Sequence, residues 1–410
     1  MTTPPYHLIV FGATSFVGQI LARYLLEQFG VQRELRWAIA GRSEARLASL
    51  RNALGLKAAR LPMLVADAAD EAALRQLCDQ TRTVVSTVGP YAIHGEPLVK
   101  VCAATGTDYC DLTGEVQWIR RMIQAYEKQA RKSGARIVHC CGFDSIPSDL
   151  GVHFLQQRAL ERFGEPCTEV RMRVKGVRGG FSGGTVASLL NVIKEASRNP
   201  ALRRELADPY SLCPEGYGPG VRQHQVKSAE FDADFAAWVA PFVMSAINTR
   251  IVQRSNALSK QAYGKDFRYD EAMITGRGLQ GRLAATGMAA GLAGIMLAGA
   301  LPPTRWALER ALPAPGEGPS AEAQRKGFFD LRFVGRTADG RCIRTRVTGD
   351  RDPGYGSTAK MLGQAGACLA LDIGPDDARG GFWTPATLFG DRLIERLQAH
   401  AGLTFEVLDK

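Results

Sequence analysis

A short turn rich in glycine and hydroxyl residues lies near the start of the chain, between an apolar run and a helical pattern. Gly12 and Gly18 bound this turn, which has the form G-x-x-S-x-x-G. Such a turn between a strand and a helix can bind the pyrophosphate of a dinucleotide, because the first N–H groups of the helix are unpaired and its dipole favours an anion. A turn that binds no ligand is the alternative. The residues expected at the pyrophosphate are Gly12, Thr14, Ser15, Phe16, Val17 and Gly18.

The end of the second predicted strand indicates which nicotinamide dinucleotide is bound. An acid at this position binds the ribose 2′-hydroxyl, whereas an arginine accommodates a 2′-phosphate. The sequence here is Ala40-Gly41-Arg42-Ser43, and no carboxylate precedes Glu44. Arg42 can pair with a phosphate and Ser43 can donate a hydrogen bond to it. We therefore predict NADPH as the cofactor; the alternative is that Arg42 only caps a surface helix.

The ends of the third and fourth predicted strands complete the expected cofactor site. Asp67 follows the third strand, where it would contact the adenine edge or cap a helix. Thr87, Gly89 and Pro90 follow the fourth strand, at the carboxyl edge of the sheet where the nicotinamide should lie. Tyr91 comes next and is a candidate proton donor or carbonyl ligand, with simple packing as the alternative.

These residues must be positioned by the first 140 residues, in which short apolar runs alternate with longer amphipathic runs. This pattern is typical of βαβ units and a doubly wound parallel sheet. The predicted strands are His7–Phe11, Arg36–Ala40, Leu61–Val65, Thr83–Val88, Asp108–Cys110 and Arg136–Cys140. The predicted helices are Val17–Gln28, Glu44–Leu54, Glu71–Cys78 with Asp70 as its cap, Pro97–Ala104 and Val116–Lys132. We expect an α/β fold in which residues 1–150 form a six-stranded, NADP-binding Rossmann domain.

The remainder of the chain has a different pattern. Residues 151–355 are predicted to form an α+β substrate and dimerisation domain with a mixed or antiparallel sheet. Phe328–Phe333 and Ile343–Thr348 are typical of antiparallel strands around the Asp339-Gly340 turn. Helical patterns at Thr358–Leu371 and Asp391–Ala401 follow, and residues 356–410 or so could return to the first domain.

One segment of the second domain, Leu283–Thr304 (residues 283–304), has no charged residue and is rich in alanine and glycine. Arg277 and Arg282 precede it, and Arg305 and Arg310 follow it. A buried or acyl-lining helix is the favoured interpretation. Peripheral membrane contact helped by the arginines and a true membrane span are the alternatives.

The composition excludes several classes of protein. The chain has 410 residues, 45% hydrophobic and 22% charged, with a formal charge of +10 that suits phosphorylated cofactors, anionic thioesters or anionic membrane surfaces. No motif indicates nucleic-acid binding. The nine cysteines are odd in number and include no C-x-x-C, so neither a disulfide framework nor a zinc site is expected. The start of the chain lacks a signal-peptide pattern, and we expect a reducing, cytoplasmic location.

Several other polar residues are assigned structural roles. The acid pairs Asp111 with Glu115 and Asp144 with Asp149 stand at predicted helix starts, where carboxylates cap N-termini. The six histidines show no metal-ligand spacing, and no metal is expected. Cys102 and Cys110 are expected to pack in the core of the first domain, as free cysteines commonly do.

Three motifs in the first half of the chain occur in the order found in a known family. They are Val84–Tyr91 (VVSTVGPY), Gly106–Glu115 (GTDYCDLTGE) and Gly142–Gly151 (GFDSIPSDLG). Together they resemble the saccharopine dehydrogenase-like oxidoreductases. Two later motifs, Ser182–Ser188 (SGGTVAS) and Gly381–Gly390 (GFWTPATLFG), resemble the branch that contains the mycobacterial trans-acting enoyl reductases.

The resemblance implies an NADP(H)-binding fold with an inserted substrate domain and, in that branch, reduction of an enoyl thioester made by a partner synthase. Ser15 departs from the glycine often found in the first loop of the family. Enoyl reduction needs a donor to the thioester carbonyl, whose oxygen becomes enolate-like. Tyr91, Ser145 and Tyr355 are the candidates for this catalytic role.

We therefore expect a homodimeric, NADPH-dependent oxidoreductase acting on an acyl thioester or another small molecule in lipid or polyketide biosynthesis. Its expected location is the cytoplasm, with association to the inner face of the plasma membrane as an option. Two alternatives stand beside this interpretation. One is a saccharopine-reductase-type enzyme that reduces an imine of an amino acid. The other is a non-catalytic, NADPH-binding protein of lipid surfaces.

Overall fold

The computed structural model describes residues 4–179, 183–218, 220–311 and 318–408. These residues form two compact units. The first consists of Met1–Phe143, Pro315–Gly318 and Gly354–Gly402. The second consists of Asp144–Ala314, Pro319–Pro353 and Leu403–Lys410. Ser182, at the start of one family motif, lies outside the described residues.

The first unit is built from alternating strands and helices followed by a return of the chain near its end. Its first half comprises β1 (Tyr6–Phe11), α1 (Phe16–Phe29), β2 (Trp37–Gly41), α2 (Glu44–Ala53), β3 (Met63–Val65), α3 (Glu71–Cys78), β4 (Thr81–Ser86), α4 (Tyr91–His94), α5 (Glu96–Thr105), β5 (Asp108–Asp111), α6 (Val116–Ser133) and β6 (Arg136–Val138).

The second unit contains α7 (Ile146–Phe163), β7 (Glu169–Arg178), α8 (Gly183–Arg198), α9 (Pro200–Ala207), β8 (Glu230–Asp232), β9 (Ala237–Pro241), α10 (Ser245–Leu258), β10 (Arg268–Gly276), α11 (Gly278–Ala300), α12 (Pro302–Ala311), α13 (Ala321–Lys326), β11 (Phe328–Arg336) and β12 (Cys342–Gly349). The chain then returns to the first unit with α14 (Thr358–Leu371), β13 (Gly381–Trp383), α15 (Pro385–Leu388) and α16 (Asp391–Arg396). It ends in the second unit with β14 (Leu403–Val407).

The sheet of the first unit is parallel throughout, in the order β13-β6-β5-β4-β1-β2-β3. All six strands predicted from the sequence are present. The prediction of six strands was nevertheless one short, because β13 pairs with β6 as a seventh. Its three residues are too few to produce a recognisable apolar run. The return helix α14 packs across β1, β4 and β5.

Local signals fix where the helices of this unit begin and end. The side chains of Ser15, Ser43 and Asp70 accept hydrogen bonds from the first turns of α1, α2 and α3. Gly106 and Gly134 end α5 and α6 in the left-handed conformation that glycine adopts without strain. Asp70 was predicted as a cap, and the structure confirms it.

The sheet of the second unit is mixed, in the order β14-β12-β11-β7-β10-β9-β8. Strands β7 and β10 run parallel and every other neighbouring pair is antiparallel. The predicted pair of strands around Asp339-Gly340 is confirmed as the antiparallel pair β11 and β12. The fold is therefore α/β with a parallel sheet in one unit and a mixed sheet in the other.

Helix α11 covers most of the uncharged segment, and the expectation that this segment is buried was wrong. Along α11 the buried residues are Gly281, Ala285 and Gly299. Within the described chain, α11 is the one helix whose length and composition would allow it to cross a membrane. Only 11% of its most apolar stretch of 18 residues is buried. Composition alone could not distinguish a buried apolar helix from an exposed one.

Candidate functional site

Two glycines determine the shape of the turn between β1 and α1. Gly12 has φ +82°, a conformation that other residues rarely adopt, and a Cβ there would lie 2.6 Å from Cγ2 of Val88. At Gly18 a Cβ would lie 2.8 Å from Cα of Ala13 and closer still to the carbonyl oxygen of Gly12. The turn therefore closes tightly on the first helical turn, and side chains are excluded at both positions.

Ser15 and Thr87 link this turn to the end of β4. The Ser15 hydroxyl accepts the N–H of Gly18 at 2.9 Å and lies 3.0 Å from the Thr87 hydroxyl. Thr87 in turn donates to the carbonyl oxygen of Gly12 at 2.9 Å. Ser15 is thus the N-cap of α1, which gives a physical reason for a hydroxyl residue where glycine is often found. The two loops at the carboxyl ends of β1 and β4 are held together.

The N-terminus of α1 offers a cradle that fits a dinucleotide. The first N–H groups of a helix have no intrahelical acceptor and carry the positive end of the helix dipole. Phe16 and Val17 provide such groups, and Thr14 precedes them on the turn; all three are half-buried. Since the two glycines remove the side chains that would fill the turn, backbone can approach a pyrophosphate closely. The residues present therefore fit the group that the sequence predicted.

Arg42 lies directly after β2 and its side chain is exposed. No ion pair involving Arg42 occurs among the residues that the structure describes. Ser43 is the N-cap of α2 and accepts the N–H of Arg46 at 3.4 Å. An exposed guanidinium beside a helix N-terminus suits a 2′-phosphate, because the arginine is available for a bidentate pair. Arg42 is not itself the cap of the helix; Ser43 has that role.

The two remaining strand ends carry the other predicted cofactor residues. Asp67 is exposed after β3, and its carboxylate accepts the N–H of Ala69 at 2.9 Å. It shapes the turn before α3, whereas Asp70 caps the helix. Gly89 is exposed and Pro90 half-buried, and they follow Thr87 at the carboxyl end of β4. Their contact with a nicotinamide stays a prediction.

Tyr91 is buried, and its hydroxyl already has protein partners. The hydroxyl donates to the carbonyl oxygen of Ser86 at 3.0 Å and accepts the N–H of Leu112 at 3.4 Å. Its ring packs against Trp118, with 5.4 Å between centroids. These contacts join the end of β4 to the loop after β5. A role as proton donor remains a prediction, and it would require the hydroxyl to give up these bonds.

Glu115 was interpreted as a cap of its own helix, and this was wrong. Its carboxylate accepts the N–H of Tyr91 at 2.8 Å and the N–H of Ala92 at 2.9 Å. It therefore caps the short helix α4 across the loop, although its own backbone precedes α6. Because it is buried, the charge and the two N–H donors satisfy one another away from water.

A buried cluster at the ends of β5 and β6 was not found by sequence reasoning. The Asp111 carboxylate lies 2.7 Å from Nδ1 of His139 and accepts the Tyr109 hydroxyl at 2.9 Å. The His139 Nε2 atom is buried without a hydrogen-bond partner in the described structure. The Trp118 ring packs against the His139 ring, with 5.0 Å between the two centroids. The signal was present, since His139 lies near the carboxyl end of the predicted strand Arg136–Cys140, but the histidines were judged only by metal-ligand spacing.

The other two candidate catalytic residues lie in different units. Tyr355 belongs to the first unit, is buried, and packs edge-to-face on Phe16 with 4.7 Å between ring centroids. It therefore lies beside the first turn of α1. Ser145 belongs to the second unit, where it precedes α7 and donates to the Asn248 amide oxygen at 3.1 Å.

Asn248 connects Ser145 to a buried acid of the mixed sheet. Its amide nitrogen lies 3.0 Å from the Glu271 carboxylate and 3.1 Å from the Ser148 hydroxyl. The Tyr269 hydroxyl donates to the same carboxylate at 2.7 Å. Burial raises the pKa of Glu271 to about 7, against the opposing effect of these hydrogen bonds.

The described residues include no group of three or more His, Cys, Asp and Glu side chains that could hold a metal ion. Cys102 and Cys110 are fully buried in the first unit, as predicted. Burial, with the neighbouring Cys78 thiol, raises the pKa of Cys102 well above its ordinary value. A thiol in that state is a poor nucleophile, so Cys102 is a packing residue.

A parallel sheet with a glycine turn after β1 and an exposed arginine after β2 defines a Rossmann-type fold of the kind that binds dinucleotides. Residues 8–138 match the family model described as the saccharopine dehydrogenase NADP binding domain. The protein is therefore an NADP-dependent oxidoreductase, and the predicted preference for NADPH is confirmed at the level of the family.

Comparison with curated relatives extends the family assignment over the whole chain. Trans-acting enoyl reductases of Mycobacterium ulcerans and Mycobacterium tuberculosis are 38% and 39% identical to it, over 96% of this chain and 95% of each relative. Another M. tuberculosis protein, provisionally given the same name, is 42% identical over 99% of both chains. The chain belongs to the saccharopine dehydrogenase-like oxidoreductases, in the branch that contains the trans-acting enoyl reductases.

A solved structure supports the fold. Apo saccharopine dehydrogenase (L-Glu forming) from Saccharomyces cerevisiae superposes with a TM-score of 0.53, covering 98% of this chain and 99% of that chain. Its sequence identity is 13%, so this likeness concerns architecture and not substrate.

Proposed function

We propose that the protein reduces the carbon–carbon double bond of an α,β-unsaturated acyl thioester, with NADPH as reductant, in lipid or polyketide biosynthesis. The observation that carries this proposal is the identity of 38–42% to trans-acting enoyl reductases along almost the full chain. The names of those relatives describe them as acting in trans. We infer that a separate synthase supplies the acyl thioester to this protein.

When bound, NADPH supplies the hydride that adds to the β-carbon of the enoyl group. The protein must hold the cofactor, position the thioester and stabilise the enolate-like oxygen that develops on its carbonyl. A proton must then be added to the α-carbon to complete the reduction. The residues we assign to the cofactor are Gly12, Thr14, Ser15, Phe16, Val17, Gly18, Arg42, Ser43, Asp67, Thr87, Gly89 and Pro90.

The three candidate donors to the carbonyl differ in their surroundings. Tyr355 packs on Phe16, the first residue of α1, and so lies beside the proposed pyrophosphate site. Tyr91 lies after β4 but is bonded to two backbone groups. Ser145 is bonded to Asn248 in the second unit. Its place beside the first turn of α1 favours Tyr355 among the three.

The proposal is tested by following NADPH oxidation with a panel of 2-enoyl thioesters of pantetheine that differ in chain length. We expect turnover with enoyl thioesters and none with the matching saturated thioesters. A 2-oxo acid supplied with an amine tests the saccharopine-type alternative, and turnover with that pair alone would contradict enoyl reduction. NADPH binding without turnover of any substrate would favour the non-catalytic alternative.

Two conservative variants distinguish the candidate donors. Tyr355→Phe should lower kcat at least about tenfold while leaving NADPH affinity unchanged, because one preorganised donor contributes about that much or more. Tyr91→Phe is the matched comparison; unchanged turnover would remove Tyr91 from the candidates. If both variants retain full turnover, the carbonyl donor lies elsewhere.

A further inference from the structure

Helix α11 of the second unit exposes a row of leucines that nothing in the described structure covers. Leu279, Leu283, Leu297 and Leu301, the residue after α11, are 70%, 63%, 67% and 50% exposed; we call them the leucine face. Leu297 and Leu301 follow Leu279 and Leu283 by about five helical turns, so all four point to one side of the helix. The row is about 33 Å long at the usual helical rise. An exposed apolar surface of this extent marks an interaction site.

The opposite side of α11 attaches the helix to its own unit. Gly281 and Ala285 are buried near one end, where α11 packs on β9 and β10. Gly299 is buried near the other end, against Ile193 and Leu190 of α8. Since both ends pack on the same unit, the helix lies along its surface. A helix that left the unit to cross a bilayer would not be held in this way.

An arginine lies over a tryptophan near the start of α11, and a second such pair lies on α12, the helix that follows it. The Arg282 guanidinium is 5.3 Å from the centre of the Trp238 ring, and that of Arg310 is 3.9 Å from the Trp306 ring. Trp306 is mostly exposed. Tryptophan and arginine are enriched where apolar surface meets lipid headgroups, because each presents an apolar body and a polar end.

The charges around α11 distinguish between the two partners that could cover the leucine face, a second copy of the chain and a lipid surface. No acidic residue occurs between Glu271 and Glu309, whereas Arg277, Arg282 and Arg305 are all positive. Two copies that paired through their leucine faces would bring these like charges together, which disfavours association. An anionic lipid surface complements them, since each basic residue near such a surface contributes attraction.

We propose that the leucine face of α11 docks the protein peripherally on an anionic lipid surface. The leucines enter the apolar region below the headgroups, and the exposed Arg277 and Arg282 contact the headgroups beside them. This inference does not depend on the proposed reaction. It concerns a surface of the second unit, whereas the assigned cofactor residues belong to the first.

The test is co-sedimentation of the full chain with vesicles of phosphatidylcholine alone and of phosphatidylcholine mixed with phosphatidylglycerol. We expect recovery with the mixed vesicles that falls as salt is raised. The double variant Leu283→Glu/Leu297→Glu should bind at least about tenfold more weakly, because two apolar insertions are lost. Leu56→Glu is the matched control, since Leu56 is 95% exposed and belongs to the first unit. This control variant should bind vesicles like the unaltered protein.

A second variant tests the charge requirement. Arg277→Gln/Arg282→Gln should lose most of the preference for phosphatidylglycerol while keeping the folded state, since both arginines are exposed. The proposal is overturned if vesicles recover no protein, or if the double leucine variant binds as well as the Leu56→Glu control. A lipid-free dimer that dissociates in the leucine variant without any vesicle binding would assign the face to a second copy. Retention after an alkaline carbonate wash would indicate a membrane span instead.

Discussion

The two seven-stranded sheets bury their strands in different ways. In β1 and β2, consecutive residues such as Leu8, Ile9 and Val10 are fully buried, as parallel strands with both faces covered require. In β12, buried and half-buried residues alternate. Two of the four half-buried positions, Arg344 and Arg346, carry charge, and Arg346 pairs with Asp330 of β11. The first sheet thus carries polar groups mainly toward the two ends of its strands, with Asp108 and Arg136 at the amino ends and the residues proposed for the cofactor at the carboxyl ends. The second sheet distributes its polar groups over one face.

The largest predicted effect concerns an ion pair within the buried sheet. Asp108 accepts the backbone N–H and Nε of Arg136, both at 2.9 Å, and both side chains are buried. Asp108→Ala should lower the free energy of unfolding by about 3–5 kcal/mol, because a buried guanidinium loses its partner. Asp330→Ala removes the carboxylate shared by Arg332 and Arg346, which are half-buried and keep access to water, and should cost less, about 1–2 kcal/mol. Urea denaturation measures the free energy of unfolding of both variants. Equal losses in the two variants would contradict the proposed difference between the two sheets.

The second prediction concerns glycines with and without room for a side chain. Gly18→Ala places a Cβ against the backbone of the β1–α1 turn and should destabilise the protein by about 1–3 kcal/mol. It should also weaken NADPH binding at least about tenfold, because the turn must open. Gly291→Ala in α11 meets nothing within 4 Å and should be neutral or stabilising by about 1 kcal/mol. Normal NADPH affinity in Gly18→Ala would show that the turn is not the cofactor cradle.

The third prediction concerns the buried acid of the mixed sheet. Burial raises the pKa of Glu271 to about 7 from an ordinary value of 4.5. The unfolded chain therefore loses this proton at lower pH than the folded protein does. The free energy of unfolding should fall as pH rises from about 4.5 through about 7, by up to roughly 3 kcal/mol.

Glu271→Gln removes this titration, so the variant should lose less stability than the unaltered protein between about pH 5 and pH 8. Asp339→Asn is the control in the same unit. Hydrogen bonds from Arg341 and Thr337 lower the pKa of Asp339 to about 2, which lies below this window, so the slope should not change. Identical slopes in Glu271→Gln and the unaltered protein would exclude Glu271 as the source.

The smallest predicted effect is on cofactor choice. Arg42→Ala should raise the Kd for NADPH by about 10- to 100-fold and leave that for NADH nearly unchanged, because one charge-assisted pair to the 2′-phosphate is lost. Arg51→Ala, in the last turn of α2, is the control and should bind both nucleotides normally. Fluorescence titration measures each Kd. An equal loss for both nucleotides would assign Arg42 to a structural role.

Sequence reasoning predicted the parallel sheet well because its strands are continuous apolar runs and its helices carry explicit caps such as Asp70. It missed β13, which has only three residues and takes its place by pairing with β6. It also assigned Glu115 to the wrong helix, because a carboxylate that caps a helix across a loop leaves no local signal.

The candidate site was predicted only in part, because sequence reasoning detects constraints within one turn and misses contacts between distant residues. Turn residues such as Gly12 and Gly18 are recognisable from spacing, since their constraints are local. The Asp111–His139 pair joins residues from neighbouring strands, and only the sheet order brings them together. The exposure of α11 likewise depends on what packs against it, which its apolar composition does not reveal.

The most direct test of the account is to follow isotope from the cofactor into the product. NADPH carrying deuterium at nicotinamide C4 is incubated with the protein and a 2-enoyl pantetheine thioester, and the product is analysed by mass spectrometry and NMR. The account predicts a saturated thioester with deuterium on its β-carbon. Unreduced thioester, together with deuterium on the amine-bearing carbon when a 2-oxo acid and an amine are supplied, would contradict it.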